Sequence, residues 1–297
     1  MSGRGTAGSW RLRTRQLHLE RPRVMGVLNV TPDSFSDGGE LRDPSEVVER
    51  AGAMVEDGAD LLDVGGESTR PGAREVPAED ELERVAPVVE ALVSAFPHVP
   101  LSIDTRKAAV ARRALELGVE VVNDVSGLGH DPFLAPLVAE SGAGLVLMHM
   151  RGDPGTMERR TSYGDVPAEV AEELAGRLDA ADAAGIERDR IVLDPGIGFA
   201  KTHRGSFELL ADPGPLLALG RPVLVGPSRK RFLGAVVDRG PEERGAATAG
   251  ACVAAFFSGA RIFRVHDVRP VADALAVAAE VAAIARERRE GGQGGGG

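Results

Sequence analysis

Short apolar runs recur along the chain, each ending in polar or glycine-rich residues and followed by a longer stretch with helical spacing. The runs occupy 24–30, 60–66, 101–105, 121–126, 144–150, 191–196, 222–228 and 261–267, giving eight candidate strands that start 20 to 47 residues apart. In the first interval Val47, Val48, Ala51, Met54 and Val55 share one helical face. Asp43 as cap, Pro44 at the first helical position and Glu46 at the third mark where that helix starts. Near-continuous apolar strands separated by helices imply a parallel sheet covered on both faces. Eight such units favour an α/β fold of the closed (β/α)8 TIM-barrel type over an open sheet. The first run is not followed by GxGxxG, which counts against a dinucleotide-binding domain.

The pattern bounds a single barrel over 19–290. Residues 1–18 precede it as a short extension that looks dispensable, although 11–19 alternates loosely enough for a lead-in hairpin. The last seven residues, GGQGGGG, read as a flexible tail.

A barrel of this kind places its chemistry where the strands end. Asn29, Asp63, Asp104, Asn123, Asp124, His149, Asp194, the Ser228-Arg229-Lys230 run, Arg264, His266 and Asp267 would all collect there. Carboxylates and amides together suit a flat heterocycle with alternating donors and acceptors. Asp63 and Asp124 fit equally well as caps of the following loops. The Arg and Lys of the last two strands, with the Gly65-Gly66-Glu67-Ser68-Thr69-Arg70 turn, suit an oxyanion or phosphate. Asn29 and Asp33 could hold a hard cation such as Mg2+ with help from substrate phosphates. Neither a Cys/His zinc cluster nor a Ser-His-Asp order is evident.

Composition sharpens this in three ways. A net charge of −10 argues against a general nucleic-acid surface but leaves room for a local cationic site. Apolar runs too short to span a bilayer and a lone cysteine, Cys252, point to a cytoplasmic protein. Among 35 basic residues only Lys107, Lys201 and Lys230 are lysine, and each closely follows an apolar run. Lys107 reads as a solvated helix start and Cys252 as a structural helix residue. His149 reads as a packed strand residue between Met148 and Met150, which would form an apolar floor. His18, His98, His130 and His203 read as surface groups.

Segment 24–39 reads VMGVLNVTPDSFSDGG and segment 63–73 reads DVGGESTRPGA. Together they resemble the two signature segments of the dihydropteroate synthase family. SIDT at 102–105, VNDVSG at 122–127, LMHM at 147–150, LDPGIGFAK at 193–201, GPSRKRF at 226–232 and RVHD at 264–267 follow in the family's order. The resemblance covers roughly 19–285. It implies a (β/α)8 barrel that condenses 6-hydroxymethyl-7,8-dihydropterin pyrophosphate with p-aminobenzoate in folate synthesis, with Mg2+ and as a homodimer. By motif position Asp104, Asn123, Asp194 and Lys230 would bind the pterin, with Met148 and Val265 also at the substrate. Thr69, Arg70, Asn29, Arg264 and His266 would face the pyrophosphate, Asn29 through Mg2+. Phe35, Pro71, Phe199, Ser228 and Lys230 would surround p-aminobenzoate, under loops carrying Asp33, Phe35, Asp37 and Arg70. The residues expected to drive the reaction are Asp104, Lys230, Arg264, Asp33, Asp37 and Arg70. Pro227 and Ser206 depart from the family pattern at positions without an assigned role. A pterin-binding barrel of the methyltetrahydrofolate–corrinoid methyltransferase type, or a non-catalytic pterin-binding paralogue, are the alternatives.

Overall fold

The computed structural model describes residues 8–31 and 43–292. A two-stranded hairpin, β1 (Ser9–Arg11) and β2 (Gln16–His18), precedes eight strands with parallel pairing. These are β3 (Arg23–Asn29), β4 (Leu61–Gly65), β5 (Leu101–Asp104), β6 (Val121–Asp124), β7 (Gly144–Met148), β8 (Ile191–Asp194), β9 (Leu224–Val225) and β10 (Ile262–Val265). They run in chain order from β3 to β8, and β10 pairs with both β3 and β9. A parallel bridge between Leu193 and Val223 closes the ring. Helices α1 (Pro44–Glu56), α2 (Ala78–Ala95), α3 (Ala108–Leu117), α4 (Leu134–Ser141) and α5 (Val166–Ala183) return the chain after β3 to β7. The rest of the helices are α6 (His203–Ala211), α7 (Gly214–Leu217), α8 (Arg231–Val237), α9 (Gly245–Ser258) and α10 (Val268–Gly292). The expected cap of α1 is present, with the Asp43 carboxylate accepting from the Ser45 N–H at 3.0 Å.

Counting in steps of two along each strand separates two faces. The outward set, including Leu28, Val64, Ile103, Val122, Leu147, Leu193 and Val265, joins the large core shared with the helices. The inward set begins apolar: Met25, Leu61, Val121, Val146, Val192, Leu224 and Ile262 form a separate cluster at the barrel floor. Two or four residues further on, the same faces present Asn29, Asp63, Asn123, Asp194 and Arg264. Asp104 stands level with Gly65 and Asn123, one layer above Asp63. The barrel therefore has an apolar floor and a charged mouth.

The lead-in closes that floor. Trp10, Leu12 and Leu19 pack against it, and Trp10 is fully buried with its Nε1–H on the Arg190 carbonyl at 2.7 Å. Arg190 in turn donates to the Leu12 carbonyl at 2.8 Å. A lead-in hairpin is present, with strands Ser9–Arg11 and Gln16–His18 and so starting two residues before the expected 11–19, and its buried side chains tie it to the barrel. Trp10→Ala should cost about 3–5 kcal/mol in a urea titration, as for other fully buried large aromatics. Activity of the folded protein should stay within about twofold, because the floor is remote from the mouth. A loss below about 1 kcal/mol would show the hairpin to be peripheral.

Candidate active site

At the mouth one guanidinium joins two carboxylates. Arg264 donates from Nε to Asp63 Oδ2 at 2.7 Å and from Nη2 to Asp104 Oδ2 at 2.8 Å. Asn123 Nδ2 donates to the same Asp63 oxygen at 3.0 Å. Asp63 is thus an inner counter-ion rather than a loop cap. Asp124 is a cap, as the alternative held: it accepts from the Ser126 N–H at 2.8 Å and the Leu128 N–H at 2.6 Å.

Burial pushes the Asp104 carboxyl up to about 7 against the pull of Arg264, with Asp63 adding to the rise. Burial alone would lower Arg264, yet Asp63 and Asp104 hold it above the ordinary guanidinium value. Gly65 supplies the space between these groups: a Cβ there would lie 3.5 Å from Asp104 Cβ and 3.6 Å from Asn29 Oδ1.

Across the mouth, Asp194 accepts from the Gly196 N–H at 2.7 Å. Burial raises its carboxyl, opposed chiefly by Lys230. Burial lowers Lys230 to about 8, opposed by Asp194. The Lys230 ammonium donates to the Ile197 carbonyl and lies 4.3 Å from the centre of the Phe199 ring. Ser228 Oγ accepts from the His266 N–H at 3.2 Å and meets Nδ1 at 3.0 Å. The hydroxyl keeps a second lone pair and its own proton, so Ser228 can serve Nδ1 as acceptor or as donor. Burial, aided by Arg264 and Arg229, lowers His266 to about 3, so the ring is neutral at physiological pH. Met148 joins Val125, Met150, Met157 and Ala200 in an apolar patch, with Phe199 packed against it.

Four expectations need correction. Val265 follows the inward-facing Arg264, so its side chain enters the outer core and not the substrate space. Arg229 is held by Asp267 at 2.6 Å and by Glu242, leaving Lys230 as the cation of that run beside Asp194. His149 is more than a packed strand residue, since it bonds Glu173 and Lys201. Lys107 is not solvated: its ammonium lies 2.9 Å from Glu67 and 2.5 Å from Glu81, and all three are buried. The structure keeps Cys252 buried, its thiol pushed up to about 12, and exposes His18, His98, His130 and His203. At the departures from the family pattern, the Pro227 carbonyl accepts the Lys230 N–H at 3.3 Å and Ser206 Oγ donates to the Thr202 carbonyl at 3.0 Å.

The Lys107 cluster holds the loop after β4. Glu67 also accepts from the Val76 N–H at 3.0 Å and from Arg106 at 3.1 Å. One carboxylate therefore ties both ends of the loop that carries Thr69, Arg70 and Pro71. On that loop Thr69 is partly buried, while Arg70 and Pro71 are exposed. Asp33, Phe35 and Asp37 lie outside the described residues.

A (β/α)8 barrel whose mouth offers buried Asp and Asn side chains beside Lys and Arg defines a pterin-binding enzyme. Residues 25–266 match the family described as "Pterin binding enzyme". The chain is 48% identical over 268 residues to the dihydropteroate synthase of Mycobacterium leprae, covering 88% of this chain and 94% of that one. It also resembles the solved Xanthomonas albilineans dihydropteroate synthase with 4-aminobenzoic acid: TM-score 0.87, 46% identity, 94% of this chain and 99% of that chain. The Burkholderia cenocepacia dihydropteroate synthase complexed with 7,8-dihydropteroate gives 0.85 and 43%, with 94% and 98% covered. The chain belongs to the dihydropteroate synthase family.

Removing the ammonium between Glu67 and Glu81 leaves the buried Glu81 carboxylate without its cation and Glu67 with Arg106 as its remaining cation. Lys107→Met should therefore cost about 3–5 kcal/mol in chemical unfolding at neutral pH. Glu67 is lowered by Lys107, the Val76 N–H and Arg106 against the effect of its burial, so its stabilising contribution is present above the usual carboxylate range and lost on acidification. The deficit of the variant should narrow as pH falls through that range. A small, pH-independent deficit would mean that the cluster behaves as a solvated pair.

Proposed function

We propose that the mouth of this barrel joins 6-hydroxymethyl-7,8-dihydropterin pyrophosphate to p-aminobenzoate, forming 7,8-dihydropteroate and pyrophosphate. The observation that carries the reading is the convergence of Asp104, Asn123 and Asp194 from three strands, and of Lys230 from the loop after β9, at the mouth where Arg264 bridges Asp63 and Asp104. The relatives named above supply the substrate pair. They do not favour a corrinoid methyltransferase.

Asn123 and Asp194 provide the acceptors and donors for the pterin edge, and Lys230 closes it from the side of Phe199. The arylamine nitrogen is neutral at pH 7 and attacks the pterin methylene carbon without a strong base. As that C–N bond forms, the C–O bond to pyrophosphate breaks and its electron pair leaves on oxygen. The new anilinium nitrogen then gives its proton to solvent. Positive charge shared by the methylene and the ring is stabilised by Asp104, while the Arg264 charge and the His266 ring face the leaving oxygens.

Mg2+ fits this site. The Asn29 amide oxygen lies beside the Gly65 gap and would be the protein donor to the ion. One protein oxygen completed by substrate phosphates and water suits Mg2+. When bound, it neutralises charge on the departing pyrophosphate.

Pyrophosphate release from purified protein, both substrates and Mg2+ tests the reading, and its absence despite pterin binding would indicate a non-catalytic paralogue. Asp104→Asn keeps the shape but removes the charge. It should lower kcat on the order of 10²–10³-fold. A change confined to KM would sink that role.

The second partner is another copy of this chain. Val277, Val281 and Ile284 fall on one exposed face of α10, and the adjoining α9 exposes Phe257. No helix among the described residues is long and apolar enough to cross a membrane, and we place the enzyme in the cytoplasm. Sedimentation equilibrium should give a dimer that Val281→Asp weakens at least tenfold, about 1.4 kcal/mol. A monomeric parent protein would refute the assignment.

A further inference from the structure

Lys201 takes no part in the reaction above, yet its ammonium is buried. It donates to the Phe199 carbonyl at 2.9 Å and to His149 Nδ1 at 2.9 Å. With Nδ1 accepting, the imidazole proton lies on Nε2, which faces Glu173 Oε2 at 3.0 Å. Glu173 is itself held by Arg151 Nε at 2.8 Å. Burial, with Lys201 close by, takes His149 down to about 3, consistent with a neutral ring that accepts from the ammonium.

The turn after β8 is pressed onto this network. Gly196 has φ +66, and a Cβ there would lie 1.9 Å from the His149 carbonyl oxygen. Only glycine allows so close an approach. The same turn supports Lys230, through the Ile197 carbonyl and the Phe199 ring. A Cβ on Gly198 would meet the Lys230 stem at 3.0 Å. Two lysines therefore grip one short turn, Lys201 through backbone and His149, Lys230 through backbone and ring.

We propose that Lys201 is a positioning residue that fixes the Phe199 carbonyl against His149 and thereby sets how the Phe199 ring and Lys230 meet p-aminobenzoate. The proposal rests on the assignment of Phe199 and Lys230 to the p-aminobenzoate pocket. A compact ammonium with three donors suits a confined site with three acceptors, the Phe199 carbonyl, His149 Nδ1 and, at 3.5 Å, the His149 carbonyl, whereas a planar guanidinium does not.

The test reads steady-state kinetics for both substrates beside thermal unfolding. Lys201→Met should raise KM for p-aminobenzoate on the order of tenfold and move the pterin substrate's KM much less. Lys201→Arg should not restore it. Phe199→Ala should give a similar rise, and the double variant far less than the product of the two. Lower stability with unchanged KM, an equal rise for both substrates, or multiplicative effects in the double variant would each overturn the proposal. If Lys201→Met does not fold, Glu173→Gln, at a half-exposed position, should shift the same KM in the same direction, and no shift would overturn it. Lys230→Met separates the two levels. Full activity there removes the pocket assignment and the proposal with it, whereas loss there without a KM effect at Lys201 removes the proposal alone.

Discussion

A guanidinium placed between two carboxylates inside a barrel ties together every strand that supplies one of them. Arg264 on β10 reaches Asp63 on β4 and Asp104 on β5, and Asp63 also holds Asn123 on β6. Removing any one charge would strand the others in a poorly solvated place, so the positions are mutually dependent. The two carboxylates are nevertheless unequal. Asp63 lies one layer lower, is fully buried and pairs with Arg264 and Asn123. Asp104 stands above it, raised to about 7 by burial. Burial and Asp63 oppose its ionisation while Arg264 favours it, and a cation on a ligand above it would favour it further.

The loops above the strands depend on a related device. Lys107 joins Glu67 to Glu81, Lys201 joins the Phe199 carbonyl to His149, and Lys230 joins the Ile197 carbonyl to the Phe199 ring. In a chain with 32 arginines these are all the lysines. Each serves two neighbours in a confined space, a task for three donors on one nitrogen. Five donors on a plane would leave some unsatisfied. The helices pack by apolar contact, and the mouth is positioned by buried cations.

The strands were legible because both of their faces are apolar, and the polar residues at the ends of those runs located the site. Asp104, Asn123, Asp194 and Arg264 are legible for that reason. The seventh run spans 222–228, yet only Leu224–Val225 is strand, because Pro222 and Pro227 have no N–H for a ladder. Val265 was misplaced by one step of strand parity. Lys107 was not legible as a buried group because its carboxylates lie 40 and 26 residues away, and nothing local announces that they meet. Trp10 is further still, its carbonyl partner being 180 residues along the chain. The rarity of lysine was the one available signal for Lys107 and Lys201.

The floor and the mouth divide labour. At the floor the inward side chains are apolar and Trp10 finds both packing and a hydrogen bond. Towards the mouth, Asp63 Oδ1, Ser102 Oγ and Glu81 Oε1 are buried without a hydrogen-bond partner among the described residues. Each such group costs about 1–3 kcal/mol. Asp63 and Ser102 face each other across β4 and β5, directly below Asp104, and Glu81 adjoins Lys107. Such atoms are not confined to the mouth, since Arg11 Nε and Asp189 Oδ1 at the hairpin end lack a hydrogen-bond partner among the described residues as well. Apolar packing, by contrast, is concentrated in the outer core and the plugged floor. A barrel can tolerate a charged mouth when its other end is sealed, and the hairpin before β3 makes that seal.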